Sequence, residues 1–132
     1  MNNRKEIDKL WSLEKYKVMF YSQKHYNEIR SVLKSGVDVE RVKTLIDDAF
    51  TLRPSIGSVL NAYQHMWGYF KKYASAQERQ TYVLKANAFS TGEVEVRELL
   101  MLIRELALKY EVDYLLQSTI LQLNETENGP LP

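Results

Sequence analysis

Proline is almost absent from this chain until its end. Pro54 is the only proline before Pro130 and Pro132, which close the sequence. Proline breaks helices and cannot donate to a sheet, so a chain with so little of it can run in long helices. Apolar residues also recur at helical spacing, whereas no stretch alternates long enough for a strand, residues 93–96 being the nearest. We therefore expect an all-α protein.

Start and stop signals divide the chain into about six helices, which we expect to form a single compact bundle with no sheet. Ser22, Asp38 and Ser55 are cap candidates, and Ser75 with Glu78 forms a capping-box pattern. The expected helices are 4–21, 22–36, 38–50, 56–73, 75–89 and a long last stretch from 96 that bends near 111–113 and continues to 123. Residues 1–123 are expected to be one helical domain, with 124–132 as a flexible C-terminal tail.

Composition excludes several kinds of chemistry. The chain has no cysteine, so it can form no disulfide, thiolate nucleophile or cysteine-ligated metal centre, and its two histidines lie far apart in sequence. We predict no metal site and no cofactor. Neither a phosphate loop nor a nucleophile elbow is present. Without a signal peptide or an apolar run of about 20 residues, the chain is expected to be cytoplasmic, with no membrane partner.

The fourth expected helix carries the candidate site. Its core-facing stripe comprises Ile56, Val59, Leu60, Tyr63, Met66, Trp67 and Phe70, and the opposite side carries Gly57, Asn61, Gln64, His65, Gly68 and Lys72. Two glycines inside a helix are unexpected, because each costs up to about 1 kcal/mol relative to alanine. Either another helix packs over them, or they leave a groove beside Asn61, His65 and Lys72 that could receive an anion or a base.

The segment Asn61-Ala62-Tyr63-Gln64-His65-Met66-Trp67-Gly68-Tyr69-Phe70-Lys71-Lys72 resembles the signature helix of the YbgA-like family of unknown function. Residues 15–22 resemble the first helix of that family and residues 114–117 its last. Members occur alone or fused to domains resembling thiouracil desulfidases, which implies a neighbourhood of modified nucleobase or RNA chemistry. Family members tend to carry histidine where this chain has Glu14 and Tyr21, so a histidine cluster is not expected here.

Three functions remain open at this point. The first is an accessory module that binds RNA, a nucleotide or another anion. Net charge is only +1, but residues 1–35 sum to +4 and residues 91–132 to −5, so Lys15 and the basic N-terminal third join Asn61, Gln64, His65, Gly68 and Lys72 as candidate ligand-binding residues. The second is a small enzyme with His65 as general acid or base. The third is a structural protein or homodimer that uses an apolar helix face, and the apolar run 99–106 is either the central core helix or a partly exposed interface.

Overall fold

The computed structural model describes residues 3–36 and 38–122, and within them every regular element is helical. This confirms the all-α expectation and the compact bundle. The seven α-helices and one closing 3-10 turn are α1 (Asn3–Tyr21), α2 (Gln23–Ser35), α3 (Val39–Phe50), α4 (Ile56–Trp67), α5 (Ala76–Ser90), α6 (Val96–Lys109), α7 (Asp113–Leu116) and the 3-10 turn Thr119–Leu121. The expected tail, 124–132, lies outside the described residues.

Four helices begin at the caps that the sequence indicates. The side chains of Ser22, Asp38, Ser55 and Ser75 accept hydrogen bonds from backbone N–H groups of α2, α3, α4 and α5. The capping box at Ser75 is complete, because Glu78 accepts in return from the Ser75 N–H at 2.9 Å. Capping by these short polar side chains satisfies N–H groups that no helical carbonyl can reach.

The fourth helix is shorter than its apolar pattern predicts. It ends at Trp67 and not near Tyr73, and turns occupy residues 68–73. From Gly68 onward the backbone favours bonds three residues back, as in Tyr69 N–H to the Met66 carbonyl at 3.2 Å. Glycine is the weakest helix former after proline, so the helix ends at Gly68, where continuing it would be least favourable. Phe70 is nevertheless fully buried, which explains why its spacing resembles a continued core stripe.

The core consists of two apolar clusters that share α1. Ile7 and Val18 of α1 pack with apolar residues of α2 and α3, including Ile29 and Val42. Met19 and Phe20 of the same helix belong to the larger cluster, which joins α4, α6, α7 and the 3-10 turn. Since α1 contributes buried residues to both clusters, it is the central element of the fold.

Helix α6 is the main core helix of the C-terminal half. Leu99, Leu100, Leu102, Ile103 and Leu106 are all buried within it. Of the two expected roles for the run 99–106, the structure shows that of a core helix, because these side chains pack inside the protein. After α6 the backbone bends at Glu111, whose φ of 57° lies in the left-handed region.

Two large apolar side chains depart from the expected core. Ile56 is 53% exposed and Val83 is 50% exposed. Ile56 occupies the first turn of α4, and Val83 lies on the outer side of α5, a helix with no buried residue. Among residues 3–36 and 38–122, no helix combines the length and the apolar character needed to span a bilayer.

Candidate functional site

Three tyrosines from distant parts of the chain meet at one surface. Tyr16 of α1 and Tyr69 of the turns after α4 share a hydrogen bond between their hydroxyls at 2.9 Å. The Tyr69 ring stacks on that of Tyr114 in α7, with ring centres 6.1 Å apart and planes inclined by 29°. Offset stacking and edge contacts of this kind are favourable arrangements for aromatic rings. The turns at 68–73 and the bend at Glu111 together bring Tyr69 and Tyr114 into contact.

Lys15 completes this group, which we call the tyrosine–lysine cluster: Lys15, Tyr16, Tyr69 and Tyr114. Its Nζ lies 5.4 Å from the centre of the Tyr16 ring and 5.5 Å from that of Tyr114. Both distances fall within the range of cation–π attraction. Lys15 is half-buried, whereas the Tyr114 side chain remains 38% exposed. The cluster therefore presents an accessible aromatic ring beside an ammonium group.

The Tyr16 hydroxyl is neutral in this setting. Burial raises the pKa of Tyr16, and the hydrogen bond to Tyr69 raises it further. A tyrosine whose pKa lies above 10 does not ionise near neutral pH, so Tyr16 acts as a hydrogen-bonding group and not as a base. The cluster can therefore bind a ligand by stacking on its rings and by attraction to the Lys15 ammonium.

Two more cations lie on the segment that carries Tyr69. Lys71 and Lys72 are exposed, and neither side chain forms an ion pair or hydrogen bond within the described residues. The segment itself is held in place, because Arg79 donates to the Lys71 carbonyl at 2.7 Å and Phe70 is buried. The surface beside Tyr69 is therefore basic, and the backbone that carries the two lysines is fixed by these contacts.

A concave feature lies at the start of α4, about 420 Å³ in volume, and we call it the Arg53 groove. Its lining comprises Tyr21, Ser22, Gln23, Arg53, Ser55, Gly57, Ser58 and Asn61. The Asn61 amide donates to the Gln23 side chain, which joins α4 to the first turn of α2. The guanidinium of Arg53 has no polar partner in the described part of the chain.

The structure gives the candidate residues of the stripe, and Lys15 from the basic N-terminal third, different surroundings. Asn61 lies in the Arg53 groove and Lys15 in the tyrosine–lysine cluster. Gln64, His65 and Gly68 are exposed along the end of α4, and Lys72 is exposed in the turns beyond it. Asn61, Gln64 and His65 keep helical spacing on α4, and Gly68 follows as its C-cap, whereas Lys72 lies beyond the end of the helix.

Neither glycine of that stripe lies against another helix. A Cβ at Gly57 would meet only the Ser55 Oγ at 3.8 Å, and a Cβ at Gly68 would meet its own preceding turn, 3.1 Å from the His65 carbonyl oxygen. Gly57 therefore faces open space at the Arg53 groove, while Gly68 belongs to the end of the helix.

His65 has no positioned chemical partner. Its side chain is exposed and forms no hydrogen bond with any residue in 3–36 or 38–122. General acid or base catalysis requires a group that orients the imidazole or receives the proton. The other histidine, His25, bonds through Nδ1 to the Ser22 Oγ at 2.7 Å, within the cap of α2. In the described part of the chain, no three potential ligands are grouped to hold a metal ion.

Sequence reasoning missed Tyr16, Tyr69, Tyr114 and Arg53 as site residues. One signal was present: the three segments that carry the family resemblance, 15–22, 61–72 and 114–117, each contribute to the cluster. Only the fold shows that they are neighbours.

Comparison with known proteins gives one match. A family model described as a protein of unknown function (DUF1722) matches residues 15–124, more than four fifths of the chain. No curated protein and no solved structure matches it. The matched range contains every residue of the tyrosine–lysine cluster.

Proposed function

This chain belongs to the YbgA-like family of unknown function, DUF1722, and from that premise we propose that it is a binding module for single-stranded RNA or a nucleotide. The tyrosine–lysine cluster is the proposed contact surface. The observation that carries the proposal is the exposed ring of Tyr114 beside the Lys15 ammonium. A nucleobase could stack on the ring while a phosphate approaches the cation.

Several features around the cluster support this assignment. Base stacking on aromatic side chains contributes about 1–3 kcal/mol per base and tolerates any sequence. Lys71 and Lys72 extend the basic character away from Tyr69 along the same surface segment. The family resemblance adds an association with modified nucleobases through fused desulfidase-like domains. This chain has no cysteine, so it would act as the companion to such chemistry.

The charge of the whole chain predicts the character of binding. A net charge of +1 gives little general attraction for a polyanion. Binding should therefore depend on a few local phosphate contacts, with a shallow dependence on salt. For single strands, each neutralised phosphate contributes about 0.7 to the slope of log K against log salt.

The direct test is fluorescence anisotropy of a labelled ten-nucleotide oligouridine RNA at low and moderate salt, with uridine monophosphate as competitor. We expect Tyr114→Ala to weaken binding about tenfold, because it removes the stacking face, while Tyr114→Phe keeps most of the affinity. Displacement of the labelled RNA by uridine monophosphate would identify a nucleotide site. Competition only by a longer RNA would identify a strand-binding surface.

A matched pair of lysine variants distinguishes binding at the tyrosine–lysine cluster from attraction to the positive charge of the N-terminal third. Lys15→Met should reduce both affinity and the salt slope, by about 0.7 for one phosphate contact. Lys34→Met removes a charge from the basic N-terminal third, at an exposed position on α2, and should change neither beyond the error of measurement. Absence of binding at both salt concentrations, or equal loss in both variants, would contradict the proposal.

A further inference from the structure

Helix α5 presents an outer face with almost no charge. The exposed positions on it are Ala76, Gln77, Arg79, Gln80, Val83, Leu84, Asn87 and Ser90, which we call the α5 outer face. Arg79 is the only charged residue among them, although 27% of the whole chain is charged. Val83 and Leu84 are 50% and 58% exposed near the middle of this face. Depletion of charge around exposed apolar residues is typical of an interface core.

The charged groups of α5 other than Arg79 point towards α6. Lys85 pairs with Glu98 at 3.0 Å, and Glu78 pairs with Lys109 at 2.6 Å. Tyr82, Ala86 and Phe89 pack on the main apolar cluster from the same inner side. The outer side of a surface helix is where charge normally lies. In α5 this arrangement is reversed.

The two ion pairs also fix what lies next to the face. They set α5 and α6 antiparallel, in a register that brings Met101 level with Val83 and Leu84. Met101 is exposed on α6, and so is Leu108 two turns later. Met101 borders a concavity that the Lys85–Glu98 ion pair also lines, so the apolar part of the proposed face is confined to α5.

We propose that the α5 outer face binds the same face of a second copy of this chain, with the two α5 helices antiparallel about a two-fold axis near Val83. In such an interface each residue meets its own counterpart or its mirror position. A face that carried several like charges would repel its copy. This one brings Val83 against Val83 and sets Arg79 opposite an uncharged position, Asn87, of the second copy.

Charge argues for a second copy over a nucleic acid. A phosphate backbone is bound by several lysines or arginines, and the α5 outer face offers only Arg79. The size of the face argues for a reversible dimer. A 15-residue helix is about 22 Å long, so α5 alone covers less than the roughly 800 Å² per partner of a standard interface. For a face of this size, dissociation in the micromolar range is expected.

The test is sedimentation velocity over a hundredfold range of concentration. The unaltered chain should pass from monomer to dimer. Val83→Glu and Val83→Lys should each raise the dimer Kd more than tenfold, because a like charge then meets its copy at the axis. An equimolar mixture of the two variants should recover a dimer, since the carboxylate introduced in one copy would face the ammonium introduced in the other; the Val83→Glu chain alone should not.

Ile56→Glu is the matched control, because Ile56 has a similar exposure on a different helix. It should dimerise as the unaltered chain does. Circular dichroism of each variant checks that the helical content is retained. An unaltered chain that stays monomeric throughout would overturn the proposal. So would a Val83→Glu chain that dimerises normally, or a mixture with no more dimer than its separate components.

Discussion

At the scale of single residues, Gly57 and Gly68 are a natural pair for mutation, because they stand at opposite ends of α4. Open space surrounds Gly57, whereas a Cβ at Gly68 would lie 3.1 Å from the His65 carbonyl oxygen. Gly57→Ala should raise the free energy of unfolding by about 0.5 kcal/mol through reduced freedom of the unfolded chain. Gly68→Ala should give no gain or a loss. Urea unfolding of both variants measures the difference, and equal gains would contradict the assigned surroundings.

Glu78 ties the start of α5 to the end of α6. Hydrogen bonds from Lys109 and Tyr110, together with the Ser75 N–H, lower the pKa of its carboxyl from 4.5 to about 2. A carboxyl with a lowered pKa in the folded state stabilises the protein above its unfolded pKa, and this contribution is lost as the pH falls towards the folded value.

The corresponding variant is Glu78→Gln. It should lower Tm at pH 7, and the difference from the unaltered chain should shrink between about pH 4.5 and pH 2. Glu105→Gln provides the control, because Glu105 is exposed on α6 and its carboxylate has no hydrogen bond or ion pair among the described residues, so its effect should be small at every pH. A Tm difference for Glu78→Gln that stays constant down to pH 2 would show that the carboxylate charge is not what stabilises the joint.

At the scale of elements, helix starts were predictable and one helix end was not. Ser22, Asp38, Ser55 and Ser75 are local signals, since each cap bonds within three residues of itself. The end of α4 depends on Gly68 and on where Phe70 packs. Because Phe70 is buried, its position fits a continued helical stripe, and apolar spacing alone cannot distinguish a helix from turns that return a side chain to the core.

The tyrosine–lysine cluster escaped prediction for a related reason. Each tyrosine lies at a spacing that fits its own element, and nothing local says which rings will touch. The Tyr16 and Tyr69 hydroxyls meet only because α1 packs against α4. Of the predicted site residues, Lys15 joins this cluster and Asn61 joins the Arg53 groove. Tertiary packing decides which of the two surfaces each of these residues joins, and the sequence does not show it.

Tyr82 stacks on two aromatic rings of α4 and so contributes to the docking of α5. Tyr82 lies between Tyr63 and Trp67, with ring centres 4.7 Å and 4.3 Å away. Tyr82→Ala should lower the free energy of unfolding by about 2–3 kcal/mol. Tyr82→Phe should have little effect, because the Tyr82 hydroxyl has no hydrogen bond in the described residues. Hydrogen exchange should show that α5 amides lose protection first in the alanine variant; uniform loss across all helices would refute this local role.

At the scale of the whole molecule, the end of the described chain is part of the core. Ile120 and Leu121 are buried, and Thr119 donates to the Glu14 carboxylate of α1 at 2.6 Å. A chain ending at Gln117 should lose about 3–6 kcal/mol, since each buried aliphatic side chain contributes about 1.5–3 kcal/mol.

A chain ending at Gln122 is the matched control for this truncation. It retains the 3-10 turn and removes Leu123 together with the predicted tail 124–132, so its Tm should stay close to that of the 132-residue chain. Thermal unfolding followed by circular dichroism compares the two chains. A large loss in the longer one would mean that residues beyond Gln122 also support the fold.

The central place of α1 has a consequence for synthesis. Among the described elements this helix is translated before the others, yet Met19 and Phe20 share a cluster with α6, Ile120 and Leu121, which are translated after them. During translation, the N-terminal half can bury Ile7 and Val18 early, while the other side of α1 waits for almost the entire chain. The nascent polypeptide thus carries an apolar surface through most of its elongation. Chaperone engagement on the ribosome is expected to fall away only once the 3-10 turn has emerged.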